Sequence, residues 1–383
     1  LYLNGNSIWN HTDNALIGNY INDTQGWDLN HDFEIGRNSE FDNNYFEGSI
    51  YESKVYNKAL TQPQIHKQIN QEIENSNGNI KGAIIPKDIE GLLWSDLILY
   101  YKMNILNTGH TSDSSDSKTD GVLHNMATHQ ENQDYTAPLP YETTSSSNGF
   151  WDTPSNWTHG NVWDISTSIP SHSIIKINGA LEFNTDINTT GLIIENGATL
   201  KVNQNSWLFN SCYIKLNGTI DLEEESQLIQ SENSTIDNSS TGILEKNLKG
   251  TADKYTYNYW SSPVGKLNNS NKNNTYSVKD VFTNIAFLTD GYDGITNPLS
   301  IADYWIWKFS NNLSDTYSSW QHVKSTGEIF PGEGFTMKGP GSGYIDDEQD
   351  YIVQGKPNNG DINLTVYAGN DYLIGNPYPS AID

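Results

Sequence analysis

The side chains best placed for chemistry are acidic residues gathered in turns. The run DSSDSKTDGVLHN brings Asp113, Asp116, Asp120 and Asn125 into one loop, and TDGYDG carries Asp290 and Asp293. Carboxylate and amide oxygens collected by a turn are the hard ligands that calcium takes, so the first four are candidate metal ligands and calcium the candidate cofactor. Aspartate is equally the ordinary residue of a polar turn, where it bonds its own backbone, so each loop reads either as an ion site or as a plain turn. A second kind of chemistry sits in FWDTPSNWTHGNVWD, which clusters Trp151, Trp157 and Trp163. Flat rings of this kind either stack on sugars, making the three candidate glycan-binding residues, or anchor a domain junction.

Catalytic signatures are missing. The chain has no H-E-x-x-H, Walker loop, G-x-S-x-G or C-x-x-C, and the nine histidines show no metal spacing. Ser115 to Lys118 fits S-x-x-K only within a run of Ser and Asp. The paired-carboxylate pattern E-x-D-x-x-E of concanavalin-like glucanases is absent too. The chain reads as non-catalytic.

Charge and composition exclude further classes. With 21 basic against 47 acidic residues the formal net charge is −26, and Arg37 is the only arginine. Such a surface repels phosphate backbones and lacks the guanidinium forks that grip them, so nucleic acid is not an expected partner. Cys212, the single cysteine, lies in the apolar run WLFNSCYIKL and rules out an internal disulfide. No apolar run reaches the roughly 18 residues of a membrane span. The chain opens LYLNG, without methionine or leader, which implies that the numbering begins inside a longer or processed polypeptide.

The elements that must position these residues are strands. Tyr, Trp, Thr, Ile and Val recur in short alternating runs broken by Asn, Asp, Gly and Ser, an all-β texture. One short helix is expected near 62–74, where Thr61 can cap, Pro63 suits the first turn and Ile65, Ile69 and Ile73 share a stripe. Asn-Gly pairs at Gly179, Gly197 and Gly218 precede GALEF, GATLKV and GTIDL. That rhythm fits the coils of a β-solenoid or the hairpins of a meander. The acidic run DLEEES from Asp221 reads as a solvated face guarding a solenoid edge.

Longer phrases carry a resemblance. Ile35 to Arg37 (IGR), followed by FEGSIYESKVYNKAL (Phe46 to Leu60), resembles the closing strands of a laminin-G-like, concanavalin A-like jelly roll. LILYYKMN (Leu97 to Asn104) with the Asp113 to Asn125 loop resembles the opening of such a domain. The order NYWSSPV, GEGF, GKPNNG and LIGNPYPSAID looks like that of large cell-surface proteins of Bacteroidetes and other gliding bacteria, exported by the type IX secretion system. The resemblance implies residues 1–130 as a laminin-G-like sandwich, incomplete at its N-terminus, with a helix and an added strand. The Pro- and Ser-rich stretch TAPLPYETTSSSNG marks 131–149 as a linker, the Gly-led rhythm marks 150–250 as a solenoid-like region, and the repeated phrase marks 251–383 as a β-sandwich module, the truncated first half of a duplication. The resemblance further implies an extracellular, cell-surface adhesin or secretion cargo that presents the laminin-G-like module to glycans or surface proteins, with the type IX machinery as export partner. Accessory domains of a polysaccharide-degrading enzyme and a ligand-free stalk are the alternatives. Two local expectations follow. Leu97 to Met103 should pair with Ile50 to Tyr56, with Tyr100 and Tyr101 on opposite faces, one pointing into the sandwich and one outward. The near-repeated phrases NYWSSPVG and DYLIGNPYPSAID should each open one half of a duplicated sandwich.

Overall fold

The computed structural model describes residues 2–3, 6–7, 34–36, 45–46, 50–107, 109–124, 140–158, 160, 173–267, 272–314, 316–341, 344 and 346–382. They are nearly all β and fall into two compact units, Leu1–Leu139 and Pro140–Asp383.

In the first unit, an antiparallel sheet runs in the order Ser53–Tyr56, Leu97–Asn107, His110–Asp113, Gly121–Val122. A second antiparallel sheet joins Ile73–Ser76, Asn79–Gly82 and Asp88–Leu93. Ile73, Ile80, Ile89, Leu92, Trp94, Leu97 and Tyr100 form the core. The pairing of Ser53 with Tyr101 and Lys54 with Tyr100 sets the closing phrase beside the opening one. Tyr100 and Tyr101 point to opposite faces, as strand alternation requires, yet both are buried, so the outward exposure expected of one of them is corrected. The loop after His110–Asp113 covers Tyr101 and accepts its hydroxyl at Thr119 O, 2.8 Å. Gly121 permits that closure, since a Cβ there would lie 2.9 Å from Thr111 Cγ2 and 3.1 Å from Tyr101 Cζ.

The helix is shorter than its apolar stripe suggests. It spans Gln62–His66, with Gln64 Oε1 accepting the Thr61 N–H. Asn70 turns to φ 60°, and the buried Gln71 side chain donates to Lys67 O and accepts from the N–H groups of Ile84 and Ile85. Ile73, read as the end of the helical stripe, instead begins a strand and donates its N–H to Tyr100 Oη.

The second unit opens with a β-solenoid. One parallel sheet stacks Tyr141–Glu142, Ile174–Ile177, Ile187–Ile194, Trp207–Leu216 and Gln227–Gln230. The other stacks Asn148–Phe150, Ala180–Phe183, Thr199–Val202, Thr219–Leu222 and Ile243–Thr251. Parallel pairing decides for a solenoid over a meander, whose neighbours run antiparallel. The register passes from Ala180 to Thr199, Thr219 and Ile243, so the Gly-led strands are successive rungs. Alternate residues such as Leu181, Phe183, Leu200, Val202, Ile220 and Leu222 fill the interior. Two of the Asn-Gly corners sit where coils touch, a Cβ on Gly179 lying 2.4 Å from Ser147 Oγ and one on Gly218 2.2 Å from Ala198 O, whereas Gly197 faces open space and is needed for its φ of 82°. The first coil begins with Tyr141, inside the segment expected as a linker.

The acidic run does not guard an edge. Thr219–Leu222 is paired on both sides, and Ile243–Thr251 is closed in turn by antiparallel Glu348–Pro357. On the outward face Glu182, Lys201, Asp221, Glu245 and Gln354 stand side by side across five strands.

Beyond the solenoid, Tyr257–Trp260, Phe335–Lys338, Trp307–Lys308 and Gln321–His322 form a four-stranded antiparallel sheet. Its inner residues Trp260, Phe335 and Met337 join the solenoid's hydrophobic core. The repeated phrases are neighbours in this one module. Ile374 bridges Glu333, Leu373 N–H donates to Phe309 O, and Gly375 lies so close to Ser261 that a Cβ would stand 2.6 Å from Ser261 Cβ. Each phrase makes the same turn. Ser262 Oγ accepts the N–H of Val264 and Asn376 Oδ1 that of Tyr378, in each case two residues on across a proline. Buried Asn358 donates to both Ser262 O and Pro377 O, tying the two turns together.

Candidate ligand-binding face

The acidic loop is organised around its first carboxylate. Asp113 is buried, and its Oδ1 accepts from the N–H of Tyr100 (3.0 Å) and Ser115 (2.8 Å). Its Oδ2 accepts from Ser115 Oγ (2.8 Å), Ser117 Oγ (2.5 Å) and Thr119 N–H (3.0 Å). Burial alone would raise the Asp113 carboxyl, but the bonds from Ser117, Tyr100 and Ser115 outweigh it and hold the group below its ordinary value. Asp120 accepts the Asp113 N–H and Asp116 the Trp94 indole, so the three carboxylates serve separate donors. Asn125 lies outside the described residues. Among those described, no cluster of three or more His, Cys, Asp or Glu is gathered as metal ligands. In the second loop Asp293 pairs with Lys254 at 3.1 Å.

Trp151 and Trp157 are buried rather than displayed. They meet edge to face at 4.9 Å, Trp151 also packs on Phe183, and the Trp157 indole donates to Trp151 O. A ring enclosed in this way offers no face to a sugar. The two are interior anchors at the first solenoid coil, the other reading of the same cluster. Trp163 lies outside the described residues.

Exposed rings collect instead on the outward face of the four-stranded sheet. Directly paired residues of antiparallel strands share a face. One row therefore runs Tyr259, Thr336, Trp307, His322 and a second begins Tyr257, Lys338. Their chain neighbours Trp260, Phe335 and Met337 turn inward. Trp307 and His322 stack at 4.1 Å with planes 12° apart, and a short 3-10 turn at Asp303–Trp305 adds Tyr304 and Trp305. Tyr304 packs edge to face on Tyr292 at 4.7 Å and on Trp305 at 4.9 Å, while the Trp305 indole donates to Tyr292 O. Tyr259, Tyr292 and Tyr317 are 67%, 62% and 79% exposed.

Polar groups punctuate these rings. Lys338 Nζ lies 3.7 Å from the Trp305 ring centroid and 4.5 Å from that of Tyr257. Burial by the rings lowers its pKa, against the pull of Asp253 and Asp293. Beside Tyr259 the face runs into an open cleft of about 390 Å³, lined by Glu225, Lys246, Leu248, Ile374 and Tyr378 among others. Lys246 is largely spent there on Glu224 O (2.7 Å) and Ser226 O (2.8 Å).

Glu333 of the GEGF phrase braces the module from within. Its carboxylate accepts from Lys308 Nζ (2.8 Å), Ser310 Oγ (2.7 Å), Tyr372 Oη (2.7 Å) and the Phe330 N–H (2.8 Å). Burial would raise this carboxyl, yet the four donors together hold it low, and burial with the Glu333 contact pushes the Tyr372 phenol up to about 12.

The ring-bearing face was not among the residues singled out from the sequence. Its signal was present in YNYW and DYWIWKF, where aromatics alternate with residues destined for the core. No curated protein and no solved structure matches the chain. A family model described as a domain of unknown function, DUF8693, matches residues 142–383, starting at the first solenoid coil and including both phrases and the aromatic face. Since that match takes in more than half of the chain, the protein belongs to the DUF8693 family.

Proposed function

We propose that this chain is a non-catalytic binding protein of the bacterial exterior, whose unit Pro140–Asp383 holds a glycan on the outward aromatic face of its four-stranded sheet. The observation that carries this reading is that face itself. Tyr257, Tyr259, Trp305, Trp307 and His322 present rings beside the hydrogen-bonding groups of Lys338 and the tyrosine hydroxyls. Sugars have apolar ring faces bounded by hydroxyls, and rings interleaved with polar groups satisfy both kinds of surface. A net charge of −26 favours an uncharged glycan over a polyanion. Placement at the surface as an adhesin or type IX secretion cargo rests on the resemblance of the long phrases. The laminin-G-like first unit, Leu1–Leu139, is read as a companion module.

Native affinity electrophoresis of the full chain through gels containing β-glucan, xylan, mannan, alginate or polygalacturonate tests the reading. At least one neutral polysaccharide should retard the protein, and Trp305→Ala with Trp307→Ala should abolish the retardation while the melting temperature of the inward-facing core stays close to that of the parent. Free migration in every neutral gel, or retardation that survives the double substitution, would end the proposal.

A further inference from the structure

We infer that the ligand is a linear, neutral glycan lying across the strands, with one unit seated in the cleft beside Tyr259 and its hydroxyls donating to Glu225. This rests on the glycan reading above. The direction comes from the register. Tyr259, Thr336, Trp307 and His322 lie on four successive strands, and three inter-strand steps of about 4.8 Å give a row of about 14 Å, a few sugar units long. Thr336 is buried in the middle of that row, so the exposed ring of Tyr259 at one end and, at the other, exposed His322 stacked on half-buried Trp307 form two platforms with a shallow span between them. The row does not stop at Tyr259, because the same residue lines the cleft.

The chemistry of the cleft selects the occupant. Glu225 is exposed, and its carboxylate makes no hydrogen bond or ion pair among the described residues, whereas the neighbouring Lys246 ammonium is turned onto two backbone carbonyls. A free carboxylate accepts from hydroxyl donors and repels an anionic sugar. Tyr259 supplies a ring beside it, and exposed Ile374 supplies apolar surface at the rim. A cleft of about 390 Å³ falls within the size range of small-ligand sites and suits a single terminal unit better than a folded partner.

The experiment uses oligosaccharides of two to about six units, cut from whichever neutral polysaccharide retards the full chain, titrated calorimetrically against the parent, Glu225→Ala and Glu225→Gln. Affinity of the parent should rise with length and level off once the row and the cleft are filled. Glu225→Ala should weaken the longest oligosaccharide about tenfold, the loss of one charge-assisted hydrogen bond, and leave the shortest unchanged. Glu225→Gln, which still accepts, should retain part of that tenfold. Affinity independent of length, or equal binding by the parent and Glu225→Ala, would overturn the inference while leaving the aromatic face intact as a glycan site. Binding to no neutral polysaccharide, with the face instead pairing two copies of the chain or binding a protein, would overturn both.

Discussion

Asp221 offers the sharpest test of how the solenoid manages its charges. It stands on the outward face beside Lys201 at 3.5 Å, with Glu245 opposite on the next strand and Glu223 two residues along its own. Its side chain is only 15% exposed, and burial, followed by the fields of Glu223 and Glu245 and opposed by Lys201, pushes its carboxyl from an ordinary 3.8 up to about 6. A raised acid is one that the folded state would rather keep protonated. Stability is therefore lost as pH rises from about 4 to about 6, and the full cost remains at neutral pH. About two pH units at about 1.4 kcal/mol each set that cost near 3 kcal/mol as an upper bound. Asp221→Asn keeps the shape, removes the charge and leaves Lys201 its contact with Glu223. Urea denaturation followed by tryptophan fluorescence at pH 7.5, 6.0 and 4.5 should find the variant more stable by about 1–3 kcal/mol at pH 7.5, with the difference shrinking towards zero at pH 4.5. A variant no more stable than the parent at pH 7.5, or a difference that ignores pH, would refute the reasoning and show that the Lys201 pair outweighs burial.

Three further outcomes are expected. Glu333→Ala strands Lys308 and three other donors and should destabilise the chain by about 3–5 kcal/mol in urea titrations; because this carboxyl is held low, its contribution is complete at neutral pH and is lost as pH falls through the acid range below its ordinary 4.5. Gly218→Ala sets a methyl against Ala198 O and should lower stability by about 1–3 kcal/mol, with far-UV circular dichroism still β-like; an unchanged midpoint would mean that the coils are looser than drawn. Asp113→Ala leaves the buried N–H groups of Tyr100 and Ser115 and the part-buried one of Thr119 without their acceptor and should cost about 1–3 kcal/mol or more, while EDTA leaves the parent's melting temperature unmoved; a fall with EDTA would reveal a structural cation in that loop.

The local pattern of residues was enough to determine several things. Alternation of β-branched and aromatic residues with polar ones announced an all-β chain, and Asn-Gly corners before GALEF, GATLKV and GTIDL marked successive rungs. Those signals are legible because a strand's period and a tight corner's need for glycine are properties of a few adjacent residues. The kinship of FEGSIYESKVY and LILYYKMN was readable for a similar reason, since two apolar strands in one unit must hide their edges somewhere.

Only the tertiary structure decided which rings face water. Tyr259 and Trp260 are chain neighbours of similar character, and alternation says only that they point opposite ways. Which of them is exposed depends on where Phe335 and Met337 stack, some seventy-five residues distant. The same holds for Trp151 and Trp157, which Phe183 draws into the solenoid, and for Trp305 and Trp307, which stay half-buried among Tyr304, His322 and Lys338. The stripe of Ile65, Ile69 and Ile73 looked helical until Gln71 was claimed by Ile84 and Ile85 and Ile73 by Tyr100. Asp113 reads in the sequence either as an ion ligand or as a turn residue, and only the folded loop shows that five donors from four residues converge on it. In each case the deciding partner is distant in sequence or arrives by loop closure, and burial follows from such pairings rather than from the residue's own type.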